Sequence, residues 1–413
     1  MNSKTFIFGL FAKGIGALAS TIFTLFIAYW FGKEVSGDIF WFVSIVIVVS
    51  VSSRMGFDLK VYRELGAILK FQGTNEAGRF IAEGMLGQGA LLLLASILTA
   101  LALYLNGIFL NGFIIAVIFW GLGYLVSVYL RVVVSNHVGL LFENSITYVL
   151  FVLFCLFATT EDAKLDLNFA GQVFLLASIS SLLIGIAILK AHTKLTLKVQ
   201  SLWHGYYSYG GGIGLLVFGY NQLPVIIGGW ISPADLSEVV ISIKIMLISG
   251  IGLMAISSYV QPRFGAAFEA EDYVDLEKLY LFSLKSALAT CVPFFIFICL
   301  LITYIPDEML GEYSNIPMFL CVLMPGYFMS AFSGAAGEFL VMVGETKRYF
   351  YLSLFTLLIS VIVTYFLADI LGGVGILIAV SLSMCFQNLI LIVFVLKKMK
   401  YLKLKNLFLE KVK

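Results

Sequence analysis

The stretch WFGKEVSGDIFWF, residues 30–42, stands between two long apolar runs. Residues 6–31 are apolar after Lys4, and apolar character resumes over 37–57. A helix needs about 20 apolar residues to cross the hydrocarbon core of a bilayer. The stretch therefore reads as a short polar turn joining two membrane-spanning helices. A counterpart, WISPADLSEVVIS at 230–242, follows about 200 residues later. It is again a helix end with Trp, a polar turn and a new apolar span. VYRELGA at 61–67 likewise faces QPRFGAA at 261–267, which sets Arg63 against Arg263. The same turn met twice predicts six spans repeated once. Both copies start on one side, as in a parallel repeat about an axis along the membrane normal.

The rest of the chain agrees with this reading. Of 413 residues, 61% are hydrophobic and only 12% charged, where soluble domains carry about 25% charged residues. Twelve spans are predicted, at 6–31, 37–57, 80–104, 112–134, 142–160, 168–190, 206–230, 236–260, 279–304, 315–342, 348–368 and 373–396. The fold class is an all-α integral membrane protein with two six-helix bundles, residues 1–200 and 201–413, the second with a basic tail. The first run is too long for a signal peptide and lacks a small-residue cleavage site, so it is expected to be retained. Lysine and arginine gather in alternate loops and in KKMKYLKLKNLFLEKVK, while the opposite loops collect acids such as Glu161, Asp162, Asp307 and Glu308. By the positive-inside rule both termini are expected in the cytoplasm. Trp30, Trp41 and Trp230 then fall at the outer interface as an aromatic belt. The longest link between spans is a tether of about 20 residues near 260–280.

Several chemistries find no support. The five cysteines lie in apolar runs without CxxC spacing, and the three histidines are scattered, so neither a disulfide nor a metal site is expected. No GxxxxGK[ST], HExxH or GxSxG motif is present. GIGLMA at 250–255 fits a dinucleotide pattern but lies inside a span with no strand before it. The reading is therefore a non-enzyme with no catalytic residues, no cofactor, no metal and no nucleic-acid partner.

Charges embedded in the spans are the sharper signal, because each is costly in hydrocarbon. Lys13 shares a helical stripe with Gly9, Gly16, Ala17, Ser20 and Thr24, which suits a cavity or a lysine reaching to the interface. Arg54 ends the second span, with Asp58 four residues on. Arg131 ends the fourth, with Tyr124 and Ser127 on its face. Lys244 interrupts VVISIKIMLISGIG at 239–252; it either lines a cavity or reaches outward toward Asp235 or Glu238. Lys13, Arg54, Arg131 and Lys244 form a candidate anion-binding set. Arg offers paired donors to phosphate oxygens and Lys a point charge. Glu338 and Asp58 are candidate ion-coupling carboxylates. Tyr206, Tyr209, Tyr220, Asn221 and Gln222, near Pro224, are candidate sugar contacts.

With FGKEVSGDIFWFVSIVI, RMGFDLKVYRELG, the 6 + 6 layout and PDEMLGEYSNIPMFLCVLMPG in view, the chain resembles the Wzx-type O-antigen or polysaccharide flippases. These belong to the multidrug/oligosaccharidyl-lipid/polysaccharide (MOP) exporter superfamily. The resemblance implies a MATE-like, V-shaped, alternating-access transporter whose spans one, two, seven and eight line the cavity. It implies that Lys13 and Arg54 bind the diphosphate of an undecaprenyl-diphosphate-linked oligosaccharide, moved from the cytoplasmic to the periplasmic leaflet for lipopolysaccharide biosynthesis. The location would be the bacterial inner membrane and the energy an ion gradient. Partners would be that lipid, the membrane lipids, and polysaccharide polymerase and chain-length regulator proteins. Three other readings remain open: a drug/cation antiporter of the same fold, a membrane polysaccharide polymerase or glycosyltransferase, and a scaffold.

Overall fold

The computed structural model describes residues 3–54, 57–108, 111–143, 145–158, 165–194, 219, 222–304 and 311–412. Of residues 3–10, 13, 58–60, 63, 67 and 403–412 it describes the backbone alone. The chain divides into two compact units, Met1–Val240 and Ile241–Lys413.

In the first unit the helix Ser3–Arg54 breaks at Gly32 into α1 (3–31) and α2 (33–54). Gly32 has φ 74° and ψ 173°, a conformation essentially reserved for glycine. There follow α3 (Phe57–Phe71), α4 (Thr74–Leu105), α5 (Gly112–Val133), α6 (Asn136–Phe142), α7 (Ser145–Ala158) and α8 (Leu167–His192). A short apolar helix α9 (Gln222–Ile231) leads through the 3-10 turn Pro233–Asp235 into α10 (Leu236–Glu269), which continues into the second unit. That unit adds α11 (Tyr273–Tyr304), α12 (Ile316–Ser333) and α13 (Ala336–Met342). The helix Thr346–Val412 breaks at Gly372 (φ 58°) into α14 (346–371) and α15 (373–412).

Among the described residues, eight continuous helices are long and apolar enough to cross a membrane. Two of them become two spans each at the glycine breaks. With the bent pair α6–α7 the described residues give eleven spans, and the short apolar helix α9 lies at the end of the seventh expected segment. It is a multi-pass membrane protein.

Packing in the first unit runs along an aromatic seam. Phe23 of α1 stacks on Tyr148 of α7 at 4.4 Å and meets Phe151 edge-on at 5.1 Å. Phe113 of α5 lies 5.3 Å from Phe174 of α8, and Phe42 of α2 stacks on Phe113 at 5.6 Å. Gly112 and Gly171 let α5 and α8 approach until a Cβ on Gly112 would overlap the Gly171 carbonyl. Small residues serve this purpose where lipid removes the hydrophobic drive between helices. Helix starts are capped by side chains: Asn111 accepts from the Phe113 N–H, Ser135 from Val138 and Asp166 from Phe169. In the second unit Val260 and Phe264 of α10, Leu276 and Tyr280 of α11, Phe339 of α13 and Val395 of α15 form one core. Tyr280 Oη donates to the Ser333 carbonyl at 3.1 Å.

Four sequence expectations are corrected. The polar turn after Trp30 is a single-residue break, and residues 33–38 are already helical. One left-handed glycine redirects the chain without giving up a turn of hydrogen bonds. The expected tether near 260–280 is continuous helix except for a turn at 270–272, because Asp272 caps the new helix by accepting from Asp275 N–H at 2.9 Å. Trp41 is no interfacial belt residue: it is buried, and its indole N–H donates to the Ile226 carbonyl at 2.8 Å. Finally, α3 forms where the span pattern predicts only a loop. Phe57, Val61 and Leu65 are buried on one face while Tyr62, Glu64 and Lys70 are exposed on the other. At about 22 Å it is an amphipathic helix too short to span.

Candidate functional site

The first unit gathers two of the sequence-predicted cations. Arg54 closes α2 and is only 2% exposed. Its Nε donates to the Ser50 carbonyl one turn back at 3.3 Å. The guanidinium lies over the ring of Tyr124 on α5, 3.6 Å from the centroid. Such a cation–π contact contributes about 2 kcal/mol when desolvated. Arg54 Nη1 is buried, and no hydrogen-bond acceptor meets it among the described residues.

Tyr124 extends the arrangement. Its Oη donates to Glu143 Oε1 at 3.0 Å, and Glu143 Oε2 pairs with Arg131 Nη2 at 2.5 Å. Arg131 Nη1 donates to Tyr62 Oη at 2.9 Å. The elements explain why the groups converge. Arg131 lies two turns beyond Tyr124 on α5, and Gly139 of α6 packs against Arg131 Cγ and the Ser127 carbonyl. A side chain at 139 would push α6 away and carry Glu143, just past its end, with it. Among the described side chains, Glu143 pairs with Arg131 and reaches Arg54 only through Tyr124, so the Arg54 charge is met by an aromatic face and not by a carboxylate. A desolvated cation with an unsatisfied donor is suited to an anion.

The other predicted residues lie elsewhere. Lys13 is on α1, three residues before Gly16, which packs on Ser145 of α7; the Lys13 side chain lies outside the described residues, as does that of Asp58. Lys244 is half-buried on α10 of the second unit. Glu338 is half-buried in the first turn of α13. Tyr206, Tyr209, Tyr220 and Asn221 lie outside the described residues, and Gln222 opens α9, half-buried. Glu238, one of the two outward partners expected for Lys244, is fully buried and takes the Lys33 ammonium at 2.8 Å. Beside it Ser36 and Ser237 share a hydrogen bond at 2.6 Å. The two look-alike turns, 30–42 and 230–242, therefore meet in space.

Residues 213–366 match the MatE family model. No curated protein matches the chain in sequence. The chain is similar along its length to solved transporters. For the MATE multidrug transporter DinF-BH, solved with a bound ligand, the identity is 16% and the TM-score 0.63, covering 95% of this chain and 94% of that one. An inward-facing multidrug resistance MATE family transporter of the MOP superfamily gives 14%, 0.61, 98% and 96%. A MOP superfamily transporter from Pyrococcus furiosus Vc1 (DSM3638), described with a reversed polarity of its binding pocket, gives 14%, 0.58, 97% and 96%. This chain has the MATE transporter fold.

Within that MATE fold, Glu143 and Tyr62 complete the cluster and sequence reasoning missed both. A signal for Glu143 was present, since it is an isolated acid between two apolar runs in LLFENSITY, just after the span that ends in Arg131. Tyr62 carried no comparable signal, because its position follows from α3 being helical.

Proposed function

We propose that this protein is an alternating-access flippase for an anionic lipid-linked substrate, an undecaprenyl-diphosphate-linked oligosaccharide. It moves that lipid from the cytoplasmic to the periplasmic leaflet of a bacterial inner membrane, with both chain termini in the cytoplasm. One observation carries the reading: Arg54 is buried at 2% exposure with Nη1 unmatched by any acceptor among the described residues. A phosphate oxygen is the complement of that donor. Lys13 is the further cation of the first unit assigned to the diphosphate, Lys244 is a separate candidate anion contact on the second unit, and the ion gradient acts through Glu338 or Asp58.

The second reading is a multidrug antiporter, favoured by the MatE match over 213–366 and by the multidrug transporters of the same fold. A cationic drug needs an available carboxylate. Among the described side chains of the first unit, the buried carboxylates face cations: Glu238 pairs with Lys33, and Glu83 lies 3.8 Å from Arg79.

The test is transport in vesicles holding the full chain, with a labelled undecaprenyl-diphosphate disaccharide and, separately, a cationic rhodamine dye. The wild type is expected to move the lipid, and Arg54→Met to slow it roughly tenfold to a hundredfold, the value of one charged hydrogen bond. Gradient-driven dye movement without lipid movement would overturn the reading in favour of the antiporter.

A further inference from the structure

A second cluster of positive charge lies in the second unit, apart from every residue used above. Leu340, Glu345, Arg348, Phe394, Lys397, Lys398 and Tyr401 line a cavity of about 500 Å³ at one end of α13, α14 and α15. Glu345 organises it. Its Oε1 accepts from Lys398 Nζ at 2.6 Å and its Oε2 lies 3.1 Å from Arg348 Nη1. Two cations thus pair with one carboxylate, and a third, Lys397, lines the same cavity. Lys398 is half-buried, whereas the Arg348 side chain is 73% exposed and Lys397 is exposed. The floor, Leu340 and Phe394, is apolar.

The surroundings say what kind of anion fits. From Arg348 an exposed apolar stripe runs along α14 through Tyr351, Phe355, Leu358 and Ile362. From Lys397 another runs back along α15 through Val393 and Leu389. These positions recur every three or four residues, so each stripe lies along one helix face below its cation. The two helices are neighbours, joined by Gln387 to Ser353 and Lys398 to Glu345. Acyl chains can lie along both stripes while a headgroup occupies the cavity. Lys400, exposed, follows on α15 and adds to the positive potential. Basic pockets between spans and juxtamembrane lysines are the usual receptors of anionic lipid headgroups.

We propose that this cavity binds the phosphate headgroup of an anionic membrane phospholipid, with Arg348 and Lys397 contacting the phosphate. Arg348 presents a fork of donors and Lys397 a point charge. Glu345 positions Lys398 and holds Arg348 at the rim. The site is independent of the transported substrate, so its failure would leave the flippase reading untouched, and the reverse also holds.

The test is native mass spectrometry of the purified full chain, titrated with phosphatidylglycerol, phosphatidylcholine or inorganic phosphate. Phosphatidylglycerol is expected to bind at least about tenfold more tightly than phosphatidylcholine, one charged contact being enough for that ratio. Arg348→Ala with Lys397→Ala removes the preference, while Arg348→Lys with Lys397→Arg keeps it and guards against a folding defect. Glu345→Gln strengthens binding, because it removes the competing negative charge and frees Lys398. Equal binding of the two lipids, or an undiminished preference in the double alanine variant, would overturn the proposal. So would inorganic phosphate binding at the site with no lipid preference, which would make it a free-phosphate site.

Discussion

The two cationic clusters of this protein are built in opposite ways. Around Arg54 the charge is buried, and an aromatic face and a backbone carbonyl stand in for water. Around Glu345 the carboxylate holds one half-buried cation, Lys398, and one that reaches outward, Arg348. A buried guanidinium is expensive to maintain and gains much from an anion that completes it. An exposed one costs little and binds an anion weakly, in a way that salt screens. The first arrangement suits a site that must discriminate, and the second a site that must hold whatever anionic surface surrounds it.

The largest expected effect, at the deep cluster, is that of Arg54→Met on transport, as set out above. The same variant should keep or raise the melting temperature in detergent, because replacing a buried charge by an apolar side chain of similar volume is often neutral or stabilising. A large fall in melting temperature would mean that Arg54 is a structural strut. Next in size is Glu143→Gln, which leaves Arg131 without its carboxylate and changes the acceptor of the Tyr124 hydroxyl. It should cost up to about 3 kcal/mol in chemical denaturation, whereas Arg348→Met, which removes the Glu345 partner whose side chain is 73% exposed, should cost about 1 kcal/mol or less. Equal costs would erase the distinction between the clusters. Smaller again is Tyr124→Phe, which keeps the ring under Arg54 and loses only the hydrogen bond to Glu143. A loss of about 1 kcal/mol is expected, while Tyr124→Leu should lose the cation–π term as well. Last, about 1 M NaCl, where the screening length is about 3 Å, should release phosphatidylglycerol from the Glu345 cavity. The effect of Arg54→Met on transport should persist there.

Much of this was legible in the sequence because membranes impose simple rules. Length and hydropathy place the spans, since a helix in lipid must satisfy its own backbone. The resemblance of 30–42 to 230–242 announced two turns of one kind, and Ser36 beside Ser237 shows that they meet. Arg54 and Arg131 stood out as charges at the ends of apolar runs. What stayed hidden was what surrounds them. No spacing rule brings Tyr62 to Arg131 or seats Tyr124 beneath Arg54, because those contacts depend on how α3, α5 and α6 pack. The sequence also suggested a polar loop where Gly32 makes a one-residue break, since loop and broken helix share the same polar residues and differ only in backbone angle.

Sequence alone therefore determined the membrane class, the number of spans and which residues carry charge into them, because burial in lipid penalises any other pattern. Only the tertiary structure decided which charges are compensated. Lys33 neutralises Glu238, and Glu143 serves Arg131 and reaches Arg54 through a tyrosine. The physical reason is that pairing is set by distances of about 3 Å between helices. Periodicity along one chain fixes which face a residue occupies, and says nothing of what stands opposite.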